Sequence, residues 1–395
     1  MSLFKNKLIV ALPIIVLAIV FVFSLTVIPS INPAAKNLPV AIVNEDIGLS
    51  SGENMGSEIA KNIKMATASI SEQPPIKWIE VRSEEAAKTG LDNQDYYAAL
   101  IISKDFSASQ ASLASPEPVS PEIRIYINQG MNVTAANMSQ QILTQMVNGL
   151  NEKMRTQLIA ALDDKQGGTV TTKQAAALAS PIVSKVIPVN TIGTNSANGN
   201  APVSLFQPLW MGSLIGSLIF LLAKNKTKFA NRKEKLQANG LQVVWGAILA
   251  LVAGFGFSLF ADSWGLNIPD FMNIALFLAI AYFAFFLMIS AVFSWIGMGG
   301  MAIFVLFLFF GAPLLSFAPE LLSPFYRDWV MSWLPMRFMV DGLRELFYFG
   351  EGLKMNHPTS VLMWIGIVSI LVLLASALKP SRNTNEEQRK LEATS

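Results

Sequence analysis

Residues 271–293 read FMNIALFLAIAYFAFFLMISAVF, twenty-three positions without an Asp, Glu, Lys or Arg. A bilayer-spanning helix needs about 20 consecutive apolar residues, and a soluble amphipathic helix would show a polar stripe that this run lacks. Five further uncharged stretches share the property: 8–28, 203–223, 241–261, 296–318 and 359–378. The two central stretches are separated only by Ser294 and Trp295, so a tight hairpin around 294–300 is expected. The first stretch follows Lys5 and Lys7, but it exceeds the 7–15 residues of a signal-peptide core and is expected to remain as a helix.

Composition agrees. The 395 residues are 52% hydrophobic and 14% charged, with a mean hydropathy of +0.45. The absence of cysteine excludes disulfides, thiolate metal sites and Cys nucleophiles. A single histidine, His357, excludes His-clustered metal sites. A net charge of +2 gives no footprint for nucleic acid.

The distribution of charge is more telling than its sum. The N-terminal stub, the loop 224–240 and the tail 379–395 together carry +8, whereas 29–202 carries −3, 262–270 carries −2 and 319–358 carries −1. Basic residues collect on the cytoplasmic side of short membrane loops. All three basic segments fall on one side if six helices span the membrane and both termini are cytoplasmic. The expected organisation is therefore a polytopic α-helical membrane protein with an α/β extracellular domain inserted between helices one and two. Its parts are a stub and first helix (1–28), the extracellular domain (29–202), a five-helix permease domain (203–378) and a cytoplasmic tail (379–395).

Within 29–202 the pattern alternates between strand and helix. Strands are expected at 39–43, 76–81, 97–102 and 121–128, with helices at 52–70, from 83 to about 90, and at 103–113. In the last strand Ile123, Ile125 and Ile127 should face inward, and Glu122, Arg124 and Tyr126 outward. A long helix over 132–162 carries Leu143, Met146, Val147, Leu150, Met154, Leu158 and Leu162 at helical spacing. A short helix at 171–179 follows, and 188–202, rich in Asn, Gly, Thr and Ser, reads as a linker.

Two negative observations bear on energy coupling. No G-x-x-x-x-G-K-[ST] occurs, so no phosphate-binding loop of that kind is encoded. None of the six stretches contains an Asp, Glu, His, Lys or Arg, whereas ion-coupled carriers place such groups at mid-membrane.

Three segments resemble a known family. They are Val40-Ala41-Ile42-Val43-Asn44-Glu45-Asp46 followed by Gly52 and Gly56; Ala98-Ala99-Leu100-Ile101-Ile102-Ser103-Lys104-Asp105-Phe106-Ser107; and Trp333-Leu334-Pro335 followed by Asp341-Gly342-Leu343-Arg344. Together, and in this order, they resemble the permease subunits of type-2 ABC exporters, the first two most closely the branch with a YhgE/Pip (phage infection protein) N-terminal domain. Many members of that branch have a far longer coiled outside region, which this chain lacks. The resemblance implies a bacterial plasma-membrane permease that dimerises with an identical or different second copy. It also implies a separate cytoplasmic ATPase as partner, so that ATP is bound there and no cofactor by this chain.

Candidate functional residues fall in three groups. The resemblance implies that the loop 224–240 carries a short helix that docks on the ATPase, where Phe229 and Leu236 could be apolar anchors with Arg232, Lys233 and Lys235 around them. The same charges would also suit anionic membrane lipids. Gly212 and Gly216, and Gly246, Ala250 and Gly254, mark faces for close helix packing or for a dimer. An amphipathic helix over 335–349 begins at Pro335 and pairs Arg337 with Asp341 and Asp341 with Arg344. The resemblance makes it an outer re-entrant helix near the pathway exit; a helix lying on the outer interface is the alternative. A function of another class, a non-transporting surface receptor or secretion scaffold, remains open at this point.

Overall fold

The computed structural model describes residues 33–68, 74–166, 170–227 and 229–379, together with scattered positions between 13 and 28. The expected first span, 8–28, and the tail 380–395 fall largely or wholly outside the described residues. The chain divides into two compact units, one of 32–192 with 317–323, the other of the remainder.

The first unit is a five-stranded mixed sheet in the order β2-β1-β3-β4-β5. Its strands are β1 (Leu38–Asn44), β2 (Ile76–Glu80), β3 (Ala98–Ile102), β4 (Glu122–Asn128) and β5 (Val183–Val189). β2, β1 and β3 are parallel, β4 runs antiparallel to β3, and β5 is parallel to β4. Helices cover both faces, which is why β1 as far as Val43 and all of β3 are apolar. On one face Val40, Ile42, Leu100 and Ile102 meet Ile59 and Ile63 of α1 (Met55–Ala68). On the other, Ala41, Val43, Ala99 and Ile101 meet Ala87 and Leu91 of α2 (Glu84–Asp92). After α3 (Phe106–Ser112) and β4, the 34-residue α4 (Val133–Gln166) lays Leu143, Val147, Met154, Leu158 and Leu162 into the first of these cores. A short α5 (Thr172–Ala179) opens with a reciprocal cap between Thr171 and Gln174.

Two expectations need correction here. Tyr126 does not face outward: it is buried beneath α2, because the second face of the sheet is covered too. The expected linker begins too early, since 183–189 forms a fifth strand. β5 is an edge strand exposed along most of its length, so no inward-facing alternation betrays it, and Pro188 is tolerated where one side needs no ladder partner.

Residues 317–323, between two helices of the other unit in sequence, pack with the sheet unit. Ala318 and Leu321 join Leu38, Tyr97 and Ala135 in a small buried cluster, and the Tyr97 hydroxyl donates to Glu320 Oε2 at 2.8 Å.

In the second unit, four helical stretches among the described residues are long and apolar enough to cross a membrane: Ala201–Lys226, Arg232–Ser263, Phe271–Leu315 and His357–Leu378. The elements are α6 (Ala201–Lys226), α7 (Arg232–Ser263), α8 (Phe271–Ile296), α9 (Met301–Leu315), α10 (Pro335–Tyr348) and α11 (His357–Ala375). α8, apolar all round, is the buried centre, and α6, α7, α10 and α11 pack on it.

The 45-residue stretch folds back on itself. The Phe293 and Phe304 rings are 6.0 Å apart, whereas eleven residues of straight helix would separate them by about 16 Å. Trp210 of α6 touches both Phe285 and Phe304. The reversal lies at Gly297–Gly300, where Gly297 has φ +65°, a conformation that disfavours any side chain. The second arm is shorter than expected. α9 has 15 residues, about 22 Å of helix, because the glycine-rich turn delays its start and Pro313 lies in its last turn.

Candidate functional site

The corner between α6 and α7 differs from the expected loop with its own short helix. Lys224 and Lys226 lie in the last turn of α6, and Arg232, Lys233, Lys235 and Leu236 in the first turns of α7. The connection between the helices is short because Asn231 caps α7, accepting from the Glu234 amide at 2.9 Å, while Glu234 accepts from the Ala230 amide at 2.8 Å. Lys, Glu and Leu are good helix formers, and the helix runs on through Asn239 and Gly240 into the membrane stretch. The corner is exposed at Arg232 and Lys233, half-buried at Phe229 and Lys235, and Leu236 is 47% exposed.

The small residues pack within the chain. A Cβ on Gly254 would lie 2.4 Å from the Ala275 carbonyl oxygen, and one on Gly246 2.6 Å from the Phe286 ring. Gly216 and Gly212 stand against Tyr282, where added Cβ atoms would lie 3.0 Å from its hydroxyl and 3.4 Å from its ring. Ala250, between Gly246 and Gly254 on α7, is buried as well. These residues let the backbones of α6 and α7 approach α8.

Pro335 is the first residue of α10. Asp341 joins Arg337 and Arg344, each at 3.2 Å, and Arg344 also donates to the Leu315 carbonyl at 2.9 Å. Arg344 thus closes an open carbonyl at the end of α9. Close by on α10, burial pushes the Glu345 carboxyl up, even though Asn356 donates to it.

Two polar clusters emerge only in the structure. The first explains the Asn44-Glu45-Asp46 segment. Asp46 lies at the carboxyl end of β1, beside the end of β3, a place where open α/β sheets commonly bind ligands. Here the protein fills it with its own carboxylate. Asp46 Oδ1 accepts from the Ser107 amide at 2.9 Å, and Oδ2 accepts from the Gly56 amide at 3.0 Å and from the Ser107 hydroxyl. These amides belong to the first turns of α1 and α3, so one charge caps two helices. A Cβ on Gly56 would lie 2.6 Å from Asp46 Cβ, which explains the glycine. Burial alone would raise the Asp46 pKa; the donors from Ser107 and Gly56 outweigh it and hold the carboxyl below its ordinary range. On the other face Glu45 accepts from the Glu84 amide at 2.9 Å, and Glu84 receives Arg124 at 2.7 Å and the Tyr126 hydroxyl.

The second cluster begins at Lys224. Its ammonium donates to Asn239 Oδ1 at 2.6 Å and to Gln242 Oε1. Asn239 and Gln242, spaced i,i+3 at the apolar entry of α7, were the available sequence signal. Among the described residues no group of three or more His, Cys, Asp or Glu side chains is placed to hold a metal ion.

Comparison with known proteins adds a family. The family described as "Protein of unknown function (DUF3533)" matches residues 8–371. No curated protein matches. A crystal structure from Thermotoga maritima MSB8, described as a domain of an ABC type-2 transporter, aligns at 22% identity over 38% of this chain and 86% of that one, with a TM-score of 0.23.

Proposed function

The chain belongs to the DUF3533 family, and we propose that it is the membrane-spanning permease subunit of an ATP-driven exporter. In this reading a separate cytoplasmic ATPase binds ATP and supplies the energy. A second permease copy, identical or related, completes the pathway, and a hydrophobic or amphiphilic substrate moves outward across a bacterial plasma membrane. The sheet unit is the extracellular domain, of the YhgE/Pip type, and α10 is the outer re-entrant helix with Arg337, Asp341 and Arg344 on its polar side.

The observation that carries the proposal is the α6–α7 corner. It presents the exposed Leu236 and half-buried Phe229 within a basic rim of Arg232, Lys233 and Lys235, on capped helix ends. An apolar anchor ringed by charge suits a protein partner. The lack of a phosphate-binding loop and of Asp, Glu, His, Lys or Arg within the six uncharged stretches supports an energy source in trans. The charge bias of the loops supports cytoplasmic termini.

Co-purification tests the assignment. Phe229→Ala with Leu236→Ala should strip the ATPase and abolish export while membrane insertion persists. Loss of one central anchor costs ~2 kcal/mol, roughly thirtyfold in affinity. An ATPase retained by the double variant with full export refutes the docking residues. No ATPase on the unaltered protein in mild detergent favours the receptor or scaffold function instead. Single cysteines at Lys173 and Gln237, both exposed, test the orientation. Only the first should label in intact cells.

A further inference from the structure

Three lysines from three helices converge at one end of the helical unit. Lys224 ends α6, Lys235 begins α7, and Lys379 follows α11 and its closing turn. Lys235 lies near enough to Lys224, and Lys379 to Lys235, for their charges to act on each other. No described carboxylate forms an ion pair with any of the three. Glu234, the acid in this corner, is engaged by the Ala230 amide in the cap of α7.

The cluster is built rather than incidental. Asn239 and Gln242 take two donors of the Lys224 ammonium and are themselves fixed. Asn239 Nδ2 donates to the Leu373 carbonyl at 2.7 Å and to Ser376 Oγ at 3.1 Å. Gln242 Nε2 donates to Ser290 Oγ at 2.8 Å, and Ser290 bonds Ser217 at 3.1 Å. Lys235 donates to the Lys379 carbonyl at 3.0 Å, and Lys379 to the Trp295 carbonyl at 2.7 Å. The partners are side-chain amide oxygens for Lys224 and backbone carbonyls for Lys235 and Lys379, and these bonds leave each ammonium, with its three N–H groups, a donor to spare. Like charges gathered without a counter-charge repel one another, and a bound anion relieves that repulsion.

The surroundings identify the anion. Leu222, Leu241, Trp295 and Leu378, each within two residues of a member of the cluster or one of its partners or itself a partner, are 46%, 58%, 44% and 65% exposed. A free phosphate has no use for such an apolar rim, whereas acyl chains do. We propose that Lys224, Lys235 and Lys379 form a binding site for the phosphodiester of an anionic membrane lipid, whose chains lie along the exposed apolar sides of these helices. The site depends on the helical unit being in a membrane and not on export or on an ATPase.

The test uses the full chain in neutral detergent, titrated with dioctanoyl phosphatidylglycerol, dioctanoyl phosphatidylcholine or inorganic phosphate, with thermal unfolding as the readout. Phosphatidylglycerol should raise the melting temperature saturably, and the other two should not. A lysine near anionic lipid contributes about fivefold in affinity. Lys379→Gln and Lys224→Gln should each shift the titration midpoint by roughly that factor. Lys226→Gln, at an exposed lysine outside the cluster, should leave it unchanged. If Lys224→Gln does not fold, Lys379→Gln carries the test alone. Equal responses to the two lipids, or an unaltered titration in Lys379→Gln, overturn the site. Reproduction of the whole shift by inorganic phosphate overturns the lipid in favour of a free anion.

Discussion

Asp46 in the sheet unit and Lys224 in the helical unit are both charged groups held by neutral partners, and they are held to opposite ends. The Asp46 carboxylate receives amides from the starts of α1 and α3 and the Ser107 hydroxyl, so its charge is answered inside the unit. Lys224 gives two donors to side-chain amides, and the charge that acts on it is that of another lysine, Lys235. One group is a keystone joining two helix starts. The other joins a buried polar network of α6 and α7 and has no carboxylate partner among the described residues. Deleting the first should therefore damage folding, while deleting the second should chiefly alter what the protein binds.

The largest expected effect is at Asp46. Asp46→Ala leaves the Gly56 and Ser107 donors buried without an acceptor, at a cost of about 3 kcal/mol. Amide exchange on the full chain should then quicken in α1 and α3 together. Protection unchanged in both helices would sink the keystone assignment. Acid should act in the same direction. A carboxyl whose folded pKa lies below its unfolded value contributes stability that is fully present above the unfolded pKa and is lost as pH falls through the folded one. The sheet unit should thus weaken below the ordinary carboxylate range. Asp46→Asn should flatten part of that acid limb, not all of it, because Glu84 is also held low: hydrogen bonds from Tyr126 and Lys88 and the nearby Arg124 charge outweigh its burial.

Next in size is a contrast within α7. Gly254 touches the α8 backbone, while a Cβ on Gly256 would meet nothing within 4 Å. Gly254→Val should cost about 1–3 kcal/mol through forced separation of the helices. Gly256→Ala should be neutral or stabilising by up to about 1 kcal/mol, since alanine restrains the helix without a clash. Thermal unfolding in detergent separates the two. Equal melting points would mean that the small-residue face does not pack as described.

The two units were also unequally legible in the sequence. Strands β1, β3 and β4 and the stripe of α4 announced themselves because burial imposes a period that residues such as Ile123, Ile125 and Ile127 display directly. β5 was not visible, since an exposed edge strand owes nothing to a core. Tyr126 was misplaced because alternation reports one buried face and is silent about a second. In the helical unit hydropathy located the spanning stretches, but not where helices begin. The signal for α7 was present as Asn231 followed three residues later by Glu234, an N-cap pattern masked by the density of charge around it. Asn239 and Gln242 were legible as residues but not as partners of Lys224, because a pairing across 15 and 18 positions is set by how α6 and α7 lie on α8, which no local pattern encodes.

The smallest effect tests the strip 317–323, whose chain neighbours belong to the helical unit while its own contacts lie with the sheet unit. Tyr97→Phe removes one hydrogen bond to Glu320 and leaves the ring in place against Leu38, Ala135, Ala318 and Leu321. A single partly buried bond of this kind is worth about 1 kcal/mol, roughly fivefold in a local opening equilibrium. Amide exchange at Leu321 and Leu322, which donate to Ala318 and Pro319, should quicken by that factor, while α1 and α3 keep their protection. Glu320→Gln retains an acceptor oxygen for the tyrosine and should change exchange less than Tyr97→Phe. Should the glutamine variant open the strip as far as the phenylalanine variant does, the charge of Glu320 rather than its bond to Tyr97 would be holding it.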